Sequence, residues 1–167
     1  MSKKFTAGFV SLAAALSLLT PAAVLPAQAA SNSGVAITDA WIRSSEYSDH
    51  IGGMTGIFAK ITNRTNHTVV LTGGSTKIAP MVQTHQVING VMSHKEGGIK
   101  IAKGATVTLQ PGGLHVMLMN LKKPIVAGDI VKFTFAFKGA KAQTFNLIAK
   151  PVVAGGESYT PSPAPTN

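Results

Sequence analysis

The sequence contains no cysteine among its 167 residues. That excludes disulfides, zinc–thiolate and iron–sulfur sites, a cysteine nucleophile, and a blue-copper centre, whose metal needs a thiolate. It also excludes a lipid-modified N-terminal cysteine. Acidic residues are scarce: six Asp and Glu stand against fifteen Lys and Arg, for a net charge of +9. Those six, Asp39, Glu46, Asp49, Glu96, Asp129 and Glu157, are spread along the chain, and no pair announces acid/base catalysis. No Gly-x-Ser-x-Gly, His-Glu-x-x-His or phosphate loop occurs. Nothing here reads as an enzyme. Charged residues are only 13% of the chain and mean hydropathy is +0.25, too apolar for a disordered protein.

The first residues read as an address. Lys3 and Lys4 precede an apolar stretch from Phe9 to Leu19, and Ala27-Gln28-Ala29 fits the small-x-small cleavage rule. The stretch is short for a membrane span, so residues 1–29 are expected to be a signal peptide cleaved near Ala29. The mature protein then works outside the cytoplasm, in the cell envelope or a periplasm-equivalent space, and no later apolar run is long enough to cross a bilayer. Lysines are scattered, with no run longer than Lys122-Lys123. The charge reads as a solvated surface, with weak attraction to an anionic envelope or acidic partner and no role in binding nucleic acid.

Residues 30–34 read as a small-residue leader and residues 154–167 as a flexible Gly/Ser/Pro-rich tail. Between them, residues 35–153 form one domain of short alternating segments. The expected strands are Val35–Arg43, Gly56–Asn63, Thr68–Thr72, Met81–Ile88, Val91–Lys95, Thr106–Gln110, Leu114–Asn120, Ile130–Lys138 and Ala142–Lys150. Many short strands joined by turn residues predict an all-β sandwich or small barrel. Alternation turns Val131, Phe133, Phe135 and Phe137 to one face, with Phe145 and Leu147 also inward, and Trp41 reads as core.

Asn89-Gly90 between two β-rich runs favours a two-residue type I′ hairpin turn. That turn sets a register: Ile88 opposes Val91, Val87 opposes Met92, Gln86 opposes Ser93, and His85 opposes His94. Two imidazoles are then side by side on one face, with Met92 next along it. In Leu114–Met119, alternation puts Leu114, Val116 and Leu118 on one face and His115, Met117 and Met119 on the other. The aliphatic face is the core candidate, which leaves the His/Met face free for a site. Imidazole nitrogen and thioether sulfur are neutral, soft-to-borderline ligands that suit copper, above all Cu(I). A single His or Met more often packs or sits at the surface, and the pattern alone leaves both readings open. Met54 and Met119 are further candidate ligands. Met81 reads as packing, and His50 and His67 as surface.

The stretch Ala79–Lys138 resembles the PCu(A)C group of secreted bacterial copper chaperones. The matching pieces are Met81-Val82-Gln83-Thr84-His85, Asn89-Gly90-Val91-Met92, Leu109–Leu121 with its Pro-Gly-Gly-x-His-x-Met-Leu-Met core, and Ala127-Gly128-Asp129. Asp39–Arg43 and Gly56–Asn63 resemble the family's first strands, and Gly155–Tyr159 an ending of its actinobacterial members. The resemblance implies a cupredoxin-like, immunoglobulin-like antiparallel β-sandwich with Greek-key connections. It implies a carrier of Cu(I) serving respiratory oxidase (CuA site) assembly, with a cytochrome oxidase subunit or Sco-type protein as acceptor. It places ligands at His85, His115 and Met117. The fourth position falls on His94, where the family usually has methionine, with Met92 as the alternative. Three imidazoles make a harder site that should better tolerate Cu(II) or Zn(II) and should lose metal below about pH 6. The competing reading is a non-metal extracellular β-sandwich used for adhesion or envelope binding.

Overall fold

The computed structural model describes residues 34–45, 53–151 and 160–161. The expected signal peptide, leader residues 30–33, His50 and most of the tail lie outside the described residues. Eleven strands follow in chain order: β1 Val35–Arg43, β2 Thr55–Asn63, β3 Val69–Ser75, β4 Met81–Ile88, β5 Val91–His94, β6 Ile99–Ile101, β7 Thr106–Leu109, β8 His115–Met119, β9 Ile130–Lys138, β10 Gln143–Lys150 and β11 Thr160–Pro161. The described residues contain no helix. The fold is the expected all-β sandwich.

The strands pair in the order β11-β5-β4-β8-β2-β1-β10-β9-β3-β6, and β7 also pairs with β2. Strand β2 is long enough to take two partners on one edge: Thr55 to Ile57 pair with β8, and Ala59 to Thr62 with β7. The ladder curls until β3 returns against β4, where a Cβ on Gly73 would sit 3.3 Å from the Val82 carbonyl oxygen. Between the layers lies an aliphatic and aromatic core that includes Ile57, Leu71, Ile101, Leu118, Phe133 and Leu147.

Two departures from the sequence expectation shape the site. The sandwich is not purely antiparallel, because β1 runs parallel to β10, with Trp41 beside Ile148. A bulge in β1 between Thr38 and Trp41, with Asp39 at φ 54°, shifts the register against β2 by one residue. A one-residue shift reverses which face each later side chain occupies. Val35 and Ile37 point into the core before the bulge, and Ile42 does so after it. Trp41, expected in the core, is half-buried on the other face, its ring tilted 41° against Phe58 with 4.6 Å between ring centroids, and the Lys150 ammonium is 5.5 Å from its ring centroid. Strand β6 was not anticipated; it is only three residues long. Within the expected tail, Thr160 and Pro161 pair in parallel with Val91 and Met92.

Candidate metal centre

The β4–β5 hairpin has the register that its turn predicts. His85 opposes His94, Val87 opposes Met92, and Ile88 opposes Val91. Asn89 and Gly90 have φ of 52° and 77°, the left-handed pair that a type I′ turn requires. On its other edge β4 pairs with β8, and there His85 opposes His115, Gln83 opposes Met117, and Met81 opposes Met119. Hydrogen-bonding registers therefore place three histidines in one transverse row across three strands. The ring centroids of His85 lie 5.9 Å from His94 and 5.7 Å from His115. Beyond His115 the row continues to Phe58 at 6.2 Å.

Burial along the row is uneven. His115 is 1% exposed, Met117 3% and His85 8%, whereas His94 is exposed and Met119 half-buried. The His/Met face is thus not the open surface the alternation suggested. Val116 and Leu118 fill the core on one side of β8 while His115 and Met117 are closed off on the other. Phe58 contributes to this closure. Its ring lies over Gly56, where a Cβ would meet it at 2.9 Å. Leu121, just beyond β8, is buried in the core. Met92 is buried beside Val87, one pleat nearer the turn than His94. Met54 and Met81 are exposed. His67 is a surface residue, bridging Asn66 and the Gly139 carbonyl away from the row.

Hydrogen bonds set the tautomers. Nδ1–H of His115 donates to the Gly113 carbonyl (3.0 Å), so in the neutral ring Nε2 carries the lone pair. This carbonyl belongs to the Pro-Gly-Gly turn that introduces β8. Nε2–H of His85 donates to the Gln83 side-chain oxygen (3.2 Å), leaving Nδ1 as the lone-pair nitrogen. That Nδ1 is buried and has no hydrogen-bond partner. A buried acceptor without a partner costs about 1–3 kcal/mol, and a site that binds a cation is a common reason to keep one. Gln83, Gly113 and Phe58 are the supporting residues sequence reasoning missed. Only the position of Gln83, two residues before His85 on the same face, could have pointed to it.

The three imidazoles form a row and do not converge. Among the described residues no group of three or more His, Cys, Asp or Glu side chains is close enough to hold a metal ion. His94 and His115 flank His85 on strands about 10 Å apart, so a three-imidazole site would need His94 to swing inward. A pocket of about 590 Å³ lies elsewhere, lined by Lys77, Lys123, Lys132 and Ile130 among others, and contains no His or Met.

Burial lowers the pKa of His85 from 6.5 to about 4, reinforced by the neighbouring His115 and His94. Burial lowers that of His115 as well; its bond to Gly113 opposes the shift and Arg43 adds to it. Both rings are therefore held neutral and ready to donate lone pairs in the pH range where exposed imidazoles protonate. The same shift makes the metal-free fold acid-sensitive. Below pH 6.5 the unfolded chain takes up a proton that folded His85 refuses, so stability from this group is complete above 6.5 and is lost as pH falls toward 4. The loss is of the order of 2–3 kcal/mol. Denaturant midpoints measured from pH 7 to 4.5 should fall accordingly, and His85→Gln should flatten the profile.

This combination of a two-layer β-sandwich and a His/Met row on one sheet face defines the class: the fold is that of PCuAC domains. Over 71% of this chain and 94% of its own length, the copper-bound PCuAC domain from PmoF2 superposes with a TM-score of 0.61 at 21% identity. The Cu(I)-bound protein DR1885 from Deinococcus radiodurans gives 0.51 at 25% identity, over 78% of this chain and 84% of its own. The chain belongs to the family described as "Putative lipoprotein LpqE-like", which matches residues 35–149. A relative from Leifsonia xyli subsp. xyli (strain CTCB07), "Putative lipoprotein Lxx21020", is 32% identical over 130 residues, 75% of each chain.

Proposed function

We propose that this protein is an extracytoplasmic copper chaperone, a binding protein and not an enzyme, that carries Cu(I) as cargo through His85, His115 and Met117. His94 is the fourth ligand, swinging inward from its exposed position; Met92 is the alternative. The observation that carries this reading is the direct cross-strand pairing of His85 with His115, ring centroids 5.7 Å apart. The partnerless lone pair of buried His85 Nδ1 supports it. So do the copper and Cu(I) named for the PmoF2 domain and DR1885. The lipoprotein description shared by the family and its Leifsonia relative supports work outside the cytoplasm. Among the described residues no helix is long and apolar enough to cross a membrane.

Neutral donors hold Cu(I) without the strong charge of thiolates, which favours release. An exposed His94 gives an acceptor one ligand it can displace first, after which the buried ligands follow in turn. The acceptor is a copper-receiving protein, a cytochrome oxidase subunit or a Sco-type partner, in assembly of the CuA site. Cu(II) or Zn(II) can occupy the same imidazoles.

X-ray absorption on the Cu(I)-loaded protein tests the ligand set. The expected shell is three nitrogens and one sulfur, with His94→Met exchanging one nitrogen for sulfur. A shell unchanged in His94→Met but short of one sulfur in Met92→Leu selects Met92. A shell unaltered by His85→Gln overturns the site.

A further inference from the structure

The sequence has six methionines, and the five beyond Met1 all lie on one face of the sheet. Met117 and Met119 share the β8 face with His115. Met81 opposes Met119, and Met92 opposes Val87 on the His85 face of the hairpin. Met54 immediately precedes the Thr55–Leu118 pair and is in phase with Gly56, which opposes Met117. The Gly53 carbonyl still accepts a bond from Leu121 N–H (3.0 Å), which keeps this segment beside the end of β8. The cluster packed between the two layers, where methionine is a common gap-filler, contains none; Met92 and Met117 are buried on the opposite face. Core packing therefore does not account for Met54, Met81 and Met119, which are exposed or half-buried.

Met81, Met119 and Met54 form a second transverse row, parallel to the histidine row and four residues, about 13 Å, along the strands from it. Met54 is 49% exposed and Met81 43%; Met119 between them is half-buried. Facing Cβ atoms on adjacent strands are about 5 Å apart, and unbranched methionine side chains have the freedom to bring three sulfurs to one ion. Met117, opposite Gln83, lies midway between this row and the histidines.

We propose that Met54, Met81 and Met119 form a second metal site, open to solvent and built only of thioethers, that binds soft monovalent cations such as Cu(I). It is the point at which cargo is received or handed on, with Met117 as the step between it and the buried histidines. Transfer is an exchange of neutral donors; the metal keeps its oxidation state and no proton is released. Sulfur-only coordination excludes Zn(II) from this row and favours Cu(I) over Cu(II). The proposal rests on the chaperone reading for the identity of the cargo, but the site itself can be tested separately.

The probe is Ag(I), a soft monovalent ion that does not oxidise in air, with methionine-methyl NMR and metal stoichiometry as readouts. In the His85→Gln/His115→Gln protein, one equivalent should move the Met54, Met81 and Met119 methyl signals together. It should do so equally at pH 7 and pH 4.5, since thioethers do not titrate. The Met54→Leu/Met81→Leu/Met119→Leu protein, changed by volume-conserving swaps, should bind one equivalent fewer than wild type. If wild type binds one equivalent and this variant none, the methionine site stands and the histidine site fails. If the three signals do not move in excess Ag(I), or the leucine variant keeps the wild-type stoichiometry, the methionine site is overturned.

Discussion

Replacing His115 with glutamine is expected to weaken Cu(I) binding by more than about 100-fold while leaving the protein folded. Removing a residue that only supports a metal ligand already costs about 10–100-fold in affinity, and loss of a ligand should exceed that. Glutamine is suited to the test because it is close to histidine in size and polar, yet it offers no imidazole lone pair. The side chain is 1% exposed, so a smaller residue would leave a cavity and confuse binding with stability. Competition with a Cu(I) chelator measures the affinity, and chemical denaturation measures the fold. An unchanged affinity removes His115 from the ligand set, and with it the pairing on which the proposed site depends.

Phe133→Ala is expected to cost about 3–5 kcal/mol, the usual price of deleting a buried phenyl ring. That is a large part of the total stability of about 5–15 kcal/mol typical of such domains. Phe133 is fully buried and meets Phe135 edge-on, with 4.8 Å between ring centroids. Its ring also occupies the space over Gly74, where a Cβ would come within 2.3 Å of it. The cavity therefore opens between β9 and β3, where β3 closes the sandwich. Urea unfolding reads the loss directly. A change below about 1 kcal/mol would mean that the surrounding strands collapse into the space and that the ring is not a keystone of this layer.

Much of the site was legible before any coordinates. The pairing of His85 with His94 follows from Asn89-Gly90 alone, because a two-residue turn of that type leaves only one register for the strands that it joins. The shared face of His115, Met117 and Met119 follows from the period of a strand. The inward faces of Val131, Phe133 and Phe135 follow in the same way, and all three are buried. Trp41 shows where that reasoning stops. Strict alternation sends it inward with Val35 and Ile37, but a one-residue bulge at Asp39 and Ala40 sends it outward against Phe58. Nothing in the local composition marks the extra residue. The parallel contact of β1 with β10 was equally hidden, since it joins segments about a hundred residues apart.

Turn chemistry and alternation, both local properties, determined from the sequence that the chain makes short strands, that one hairpin opposes two histidines, and that a His-x-Met-x-Met edge presents three donors on one side. Only the tertiary structure decided that β4 takes β8 as its other neighbour, so that His85 faces His94 on one edge and His115 on the other. It alone decided that His85 and His115 are buried, that their protons are held off by burial, and that Met54, Met81 and Met119 form a separate row toward the surface. The physical reason is that pairing between distant strands and removal from water depend on how the whole sheet curls around its core, which no window of neighbouring residues contains.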